Sequence, residues 1–175
     1  NGEKLAYIRN RKNRFGERYN DLFLYTIQSK EKERLTGSAR ISAPVWSADG
    51  NSIFAIQYSK GTQNLVRFDI ESREIAVLTD FNDGQTLFSP VLSPDGTSII
   101  FSFADLNERG IYRFDLQKGE MSALLNDGLA DYRDPFITSG GEYLYYSSDP
   151  DGIFNIYRMD LQSGEREQLT NVIGG

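Results

Sequence analysis

Residues Ser93–Glu120 read SPDGTSIIFSFADLNERGIYRFDLQKGE. Two runs rich in Ile, Phe and Tyr are bounded by Pro-Asp-Gly and Lys-Gly-Glu, the pattern of short strands closed by tight turns. Between them lies the polar loop ADLNERG, which includes Arg109. Gly96 suits the first turn because glycine accepts a positive φ without a Cβ clash. Extended to both sides, the stretch predicts four strands near 89–93, 98–103, 111–116 and 120–125.

The same pattern recurs along the chain. Pro44, Pro90 and Pro135 are separated by 46 and 45 residues, and Asp69, Asp115 and Asp160 by the same two intervals. Three copies open with APVWSADG, SPVLSPDG and DPFITSGG, and a fourth, NGEKLAYIRN through KERLT, begins the chain without its first strand. No stretch keeps a helical apolar period over three turns, so the expected fold is all-β. A four-stranded sheet of about 45 residues has two faces to cover and must stack on its neighbours, which predicts propeller blades. The expected repeats are approximately 1–36, 42–79, 88–125 and 133–170, in one propeller segment spanning 1–175.

The Pro-x-x-Ser-Pro-Asp-Gly run at Pro90–Gly96, its variants at Pro44–Gly50 and Pro135–Gly141, and the Ile-Tyr-Arg-x-Asp-Leu-x-x-Gly-Glu runs at Ile111–Glu120 and Ile156–Glu165 resemble the repeats of TolB-like β-propellers. The resemblance covers essentially the whole chain and rests on turn and core positions. It departs from the pattern at Ala48, where Pro is expected, and at Thr138-Ser139-Gly140, where Ser-Pro-Asp is expected. The family's namesake is periplasmic and binds an outer-membrane lipoprotein, so the resemblance implies a periplasmic or extracytoplasmic location and a protein or peptide partner. Similar repeats also form the propellers of prolyl-oligopeptidase-type peptidases, which makes the propeller domain of a larger hydrolase the alternative.

Composition narrows the chemistry. The 175 residues hold 25 Asp and Glu against 19 Lys and Arg, a net charge of −6, which argues against nucleic acid as a partner. No apolar run approaches the length of a membrane span. With no His and no Cys, the chain lacks Ser-His-Asp and Cys-His nucleophile systems, His-ligated zinc and disulfides. No cofactor and no catalytic residue is expected in this segment. The sequence begins at Asn1 and not at Met, so the absence of a targeting signal in it is uninformative.

Lettering the strands of a blade A to D from the inside outward, the A–B and C–D turns share one face and the B–C and D–A loops the other. The first set is short and repetitive. The second varies in length and chemistry, and is the expected binding face because recognition sits on loops held by a rigid scaffold. On it, the stretch Arg9–Asp21 interleaves Arg9, Arg11, Lys12, Arg14 and Arg18 with Phe15 and Tyr19, a positive patch suited to carboxylates or phosphates. Arg109, Tyr132, Asp149, Asp151 and Phe154 complete the candidate partner-binding set. Exposed aromatics (Phe15, Tyr58, Tyr132, Phe154) also admit a carbohydrate or cell-wall binding module.

Asp149, Asp151 and Asn155 supply oxygen atoms of the kind calcium takes, but the spacing does not complete an EF-hand, and a turn explains the same residues. Arg113 with Asp115, and Arg158 with Asp160, recur too regularly for a catalytic pair and are expected to make a structural contact such as one between blades. Trp46 is expected in the core. Three complete units and one lacking its inner strand give fifteen strands, and NVIGG after Thr170 offers no sixteenth. An arc of a longer ring is therefore expected, with self-association of the isolated segment through its exposed end faces.

Overall fold

A computed structural model of the chain describes residues 2–107 and 109–173. Glu108 in the ADLNERG loop, Gly174 and Gly175 of NVIGG, and anything bearing on Asn1 lie outside the described residues. All regular structure in it is β. The first sheet comprises β1 (Lys4–Lys12), β2 (Arg18–Thr26) and β3 (Lys32–Arg34). The second comprises β4 (Ile41–Trp46), β5 (Ser52–Ser59), β6 (Thr62–Asp69) and β7 (Ile75–Val77). β8 (Thr86–Leu92), β9 (Ser98–Ala104), β10 (Arg109–Asp115) and β11 (Glu120–Leu125) form the third, and β12 (Tyr132–Ile137), β13 (Tyr143–Ser148), β14 (Asn155–Asp160) and β15 (Arg166–Gln168) the fourth. Every sheet is an antiparallel meander in chain order, the arrangement of propeller blades. Residues 171–173 form no strand. Among the described residues no helix is long and apolar enough to cross a membrane.

The chain divides into two compact units, Asn1–Gly84 and Gln85–Gly175, each holding two sheets. In the first, Leu22, Leu24, Leu35, Ile53 and Phe68 form a buried cluster, with half-buried Trp46 packed against it. In the second, Ile100, Ile111, Leu125, Tyr132, Leu144, Tyr146 and Met159 do the same. Where one strand supplies two of these residues, Leu22 and Leu24 or Leu144 and Tyr146, they lie two apart, as the two-residue side-chain period requires.

The turns are satisfied by their own side chains. Asp95 accepts the Ser93 hydroxyl at 2.5 Å and the Thr97 amide at 3.0 Å, while Gly96 takes a φ of 71°. The Ser93 hydroxyl hydrogen bond, followed by the Thr97 amide, lowers the Asp95 carboxyl to a pKa of about 2. Asp69, Asp115 and Asp160 each accept two backbone amides of the C–D turn that follows. This corrects the expected contact between blades: these aspartates cap a turn inside their own sheet. Arg113 likewise stays local, donating to Ser98 Oγ at 2.7 Å, and Arg158 pairs with Glu167 at 2.6 Å.

The inner strands break register between Ser42 and Val45, Phe88 and Val91, and Arg133 and Phe136. Each break contains a proline, which has no amide hydrogen to continue the ladder. The residue before it, Ala43, Ser89 or Asp134, takes a left-handed φ of 49°, 51° or 54°.

Candidate functional site

How each sheet hands the chain to the next decides the shape of the loop face. In the first sheet Thr36 Oγ1 accepts the Leu22 amide at 2.9 Å and donates to Asp21 Oδ1 at 3.2 Å, and the same oxygen takes the Ala39 amide at 3.0 Å. The second sheet repeats this with Thr79, Asn64 and the amides of Leu65 and Phe81. The fourth repeats it with Thr170, Asn155 and the amides of Ile156 and Val172. An Asp or Asn at the start of strand C and a Thr after strand D thus clamp the outgoing linker. In the first sheet the Asp is fully buried, and Arg34 Nη2 pairs with it at 2.6 Å.

The third sheet has Gly110 and Leu125 at these two positions, so neither side chain can form the clamp. A Cβ on Gly110 would overlap the Leu125 carbonyl oxygen. The linker that follows is held differently. Asp127 Oδ2 accepts Arg166 Nη1 at 2.8 Å, and the Tyr132 hydroxyl lies 2.7 Å from both Asp127 oxygens. Burial raises the Asp127 pKa, but the bonds from Arg166 and Tyr132 outweigh it and bring the carboxyl down to about 2. Burial, and then the bond to Asp127, push Tyr132 up to about 12.

Beside this linker opens a cleft of about 350 Å³, lined by Leu106, Asn107, Arg109, Gly128, Leu129 and Asp131 among others. Leu106 and Leu129 are 90% and 79% exposed. Asp131 accepts Arg109 Nη1 at 3.1 Å and Arg133 Nε at 3.0 Å, and its amide donates to Asp149 Oδ1 at 2.9 Å. Against its burial, these two arginines hold the Asp131 carboxyl below the usual range. The Arg133 guanidinium lies 4.7 Å from the Phe154 ring centroid. Arg109, Asp149 and Phe154 are therefore brought together with Asp131 and with a further residue, Arg133, that sequence reading did not single out.

Other candidates fall elsewhere. Tyr132, expected among the exposed aromatics, is 5% exposed, because it faces inward from β12 onto Tyr146. Asn155 is engaged by the clamp, and Asp151 is exposed at its turn. Among the described residues no group of three or more Asp, Glu, His or Cys is placed to hold a metal ion. In the first unit Arg9, Arg11, Arg14 and Arg18 are exposed, Phe15 is 72% exposed with Arg14 stacked 4.7 Å from its ring, and Tyr19 donates to Glu17 at 2.5 Å.

The sequence profile of the TolB beta propeller domain matches residues 2–174. The chain belongs to this family. Among solved structures, TolB from Acinetobacter baumannii superposes with a TM-score of 0.79 at 20% identity, over 96% of this chain and 41% of that one. A putative TolB from Agrobacterium tumefaciens gives 0.76 at 20% identity, over 96% and 64%. A puromycin-hydrolyzing peptidase from Mycobacterium tuberculosis gives 0.73 at 13% identity, over 95% and 27%. The TolB-like chain thus spans less than two thirds of each of these proteins, and at these identities the likeness shows the fold. A search of curated protein sequences returned no significant match.

Proposed function

We propose that this TolB-like propeller segment is a non-catalytic recognition module that holds a protein or peptide partner on its B–C and D–A loop face, in an extracytoplasmic compartment. The observation that carries this reading is the unclamped linker of the third sheet. Where the other described linkers are fastened by an Asx–Thr pair, residues 126–131 border a cleft with two exposed leucines and the Arg109 guanidinium at its rim. Apolar contact area beside a few fixed polar groups is the composition of a recognition site. Catalysis by this segment has little to draw on, since the sequence holds neither His nor Cys. The second reading, a propeller that orients substrate for an attached hydrolase, is favoured by the likeness to the mycobacterial peptidase, of which this chain covers 27%.

A photo-crosslinking amino acid placed in the full-length protein at Leu129 or Phe154, on the loop face, is expected to capture a protein partner in cells. The same probe at Gln117 or Ser163, in the C–D turns, is expected to capture none. Crosslinks confined to the turn positions overturn the proposal, and capture of an attached catalytic domain from the loop positions transfers it to the second reading.

A further inference from the structure

The charge of the chain is unevenly divided. Residues 1–84 carry thirteen Lys and Arg against eleven Asp and Glu, whereas residues 85–175 carry six against fourteen. Two of the first unit's arginines, Arg9 and Arg11, share one side of the β1–β2 hairpin. In its register Arg9 faces Asp21 and Arg11 faces Tyr19, which puts all four on the same side of the pair. Asp21 is buried and engaged by Arg34, so it does not neutralise Arg9.

Arg40, in the linker between β3 and β4, joins this side. Its guanidinium carbon lies 5.0 Å from the Tyr19 ring centroid and 6.0 Å from that of Tyr58. The backbone around it is fixed: the Ala39 amide donates to Asp21, the Arg40 carbonyl accepts the Tyr58 amide at 3.0 Å, and Gln57 Nε2 donates to the Ala39 carbonyl at 3.1 Å. Arg40 itself sits at a left-handed φ of 54°, a conformation that persists only where the surroundings enforce it. The hydrogen bonds from Tyr19 and Asn13, with Arg40 adding a smaller pull from a distance, hold the Glu17 carboxyl below the usual range, and among the described residues Arg40 makes no ion pair with a carboxylate. Glu17 is already taken by Tyr19 and Asn13.

A guanidinium stacked on aromatic rings loses rotamer freedom before any ligand arrives and keeps the N–H donors along its edge directed outward. That edge matches a carboxylate, which accepts two parallel hydrogen bonds. We infer that the Tyr19–Arg40–Tyr58 seat, flanked by Arg9 and Arg11, binds the carboxylate side chains of an acidic, extended peptide segment in the partner. This rests on the loop face being the binding surface and adds the chemistry of the segment bound. Nucleic acid is the weaker fit: its affinity comes from many phosphate contacts, and the chain as a whole is negative.

The test uses this chain, fluorescence anisotropy at low salt and three labelled probes: a peptide alternating Glu and Ser, its Gln counterpart, and an oligothymidylate of equal charge. The Glu peptide is expected to bind at least tenfold more tightly than the other two. Arg40→Gln is expected to weaken it about tenfold and Tyr58→Ala several-fold, both with unchanged circular dichroism. Arg40→Lys is expected to recover little, because an ammonium neither stacks nor forks in this way. Lys118→Gln, in a C–D turn, is expected to change nothing. The inference is overturned if the Glu peptide does not bind, if the oligonucleotide binds as tightly, or if Lys118→Gln weakens binding as much as Arg40→Gln. Loop-face crosslinks that persist alongside any of these results leave the recognition reading standing and remove only the acidic-peptide chemistry.

Discussion

The first and third sheets solve the same problem with opposite chemistry. Each must turn the chain out of strand D beside the start of strand C, where a buried amide needs an acceptor. In the first sheet Asp21 and Thr36 form a charged clamp completed by Arg34, and the linker is fastened at Ala39. In the third, Gly110 withdraws the side chain altogether and the Leu125 carbonyl moves into the space. The clamp fixes the path of the linker. Its absence leaves that path to Asp127, Tyr132 and Arg166, beside a cleft that the linker lines.

Removing the charged clamp is expected to have the largest effect. Asp21→Ala deletes a fully buried carboxylate that accepts from Arg34, Thr36 and Ala39, and hydrogen bonds to charged groups contribute about 1.5–3 kcal/mol each before relaxation. The half-exposed Arg34 can return to water, so the expected loss is about 3 kcal/mol by denaturant titration. A loss below about 1 kcal/mol would place the hold on the linker elsewhere.

Filling the space in the third sheet comes next. Gly110→Ala is expected to cost about 2 kcal/mol, the range for overpacking a tight interior. Adding Leu125→Thr is expected not to rescue it, because the overlap is with a backbone carbonyl. Rescue would show that the Leu125 carbonyl can shift to make room for a side chain at position 110.

The smallest effect separates the two solutions by pH. Asp127 has a folded pKa of about 2, below its unfolded value of 3.8, so its contribution is present above pH 3.8 and is lost as pH falls through about 2. The neutral Asn64 and Asn155 clamps do not titrate. Asp127→Asn is therefore expected to lessen the fall in stability between pH 4 and 2, partially, since Asp95 titrates over the same window. Identical acid profiles for the variant and the parent chain would sever Asp127 from the linker's stability.

The repeat was legible because turns and inner strands recur at fixed intervals. The third unit's strands, expected near 89–93, 98–103, 111–116 and 120–125, run 86–92, 98–104, 109–115 and 120–125. The clamp was also written in the sequence, in the column Asp21, Asn64, Gly110, Asn155 and its partner column Thr36, Thr79, Leu125, Thr170. Reading Asn155 within its own loop hid this, since one oxygen-bearing residue beside Asp149 and Asp151 looks like a cation ligand until it is registered against the other repeats. Tyr132 was misplaced for a related reason. It opens an inner strand, and the register break near Pro135 obscures which side of the sheet its ring takes. Arg40 had no signal in GSARIS, because its seat is assembled from Tyr19 and Tyr58, on either side of it in the chain.

The paired columns also constrain how such a chain can diverge. A repeat that keeps its Thr but loses its Asx strips the hydroxyl of its acceptor and the linker of its anchor. A repeat packed around glycine cannot regain a side chain without striking a carbonyl. Either half-step leaves a polar group without its partner or a side chain against a carbonyl, so the two positions are energetically coupled. Building the clamp into the third repeat takes two coordinated substitutions and a shift of the Leu125 carbonyl. The path of its linker is therefore set by two positions jointly, and no single substitution at either converts it to the clamped form.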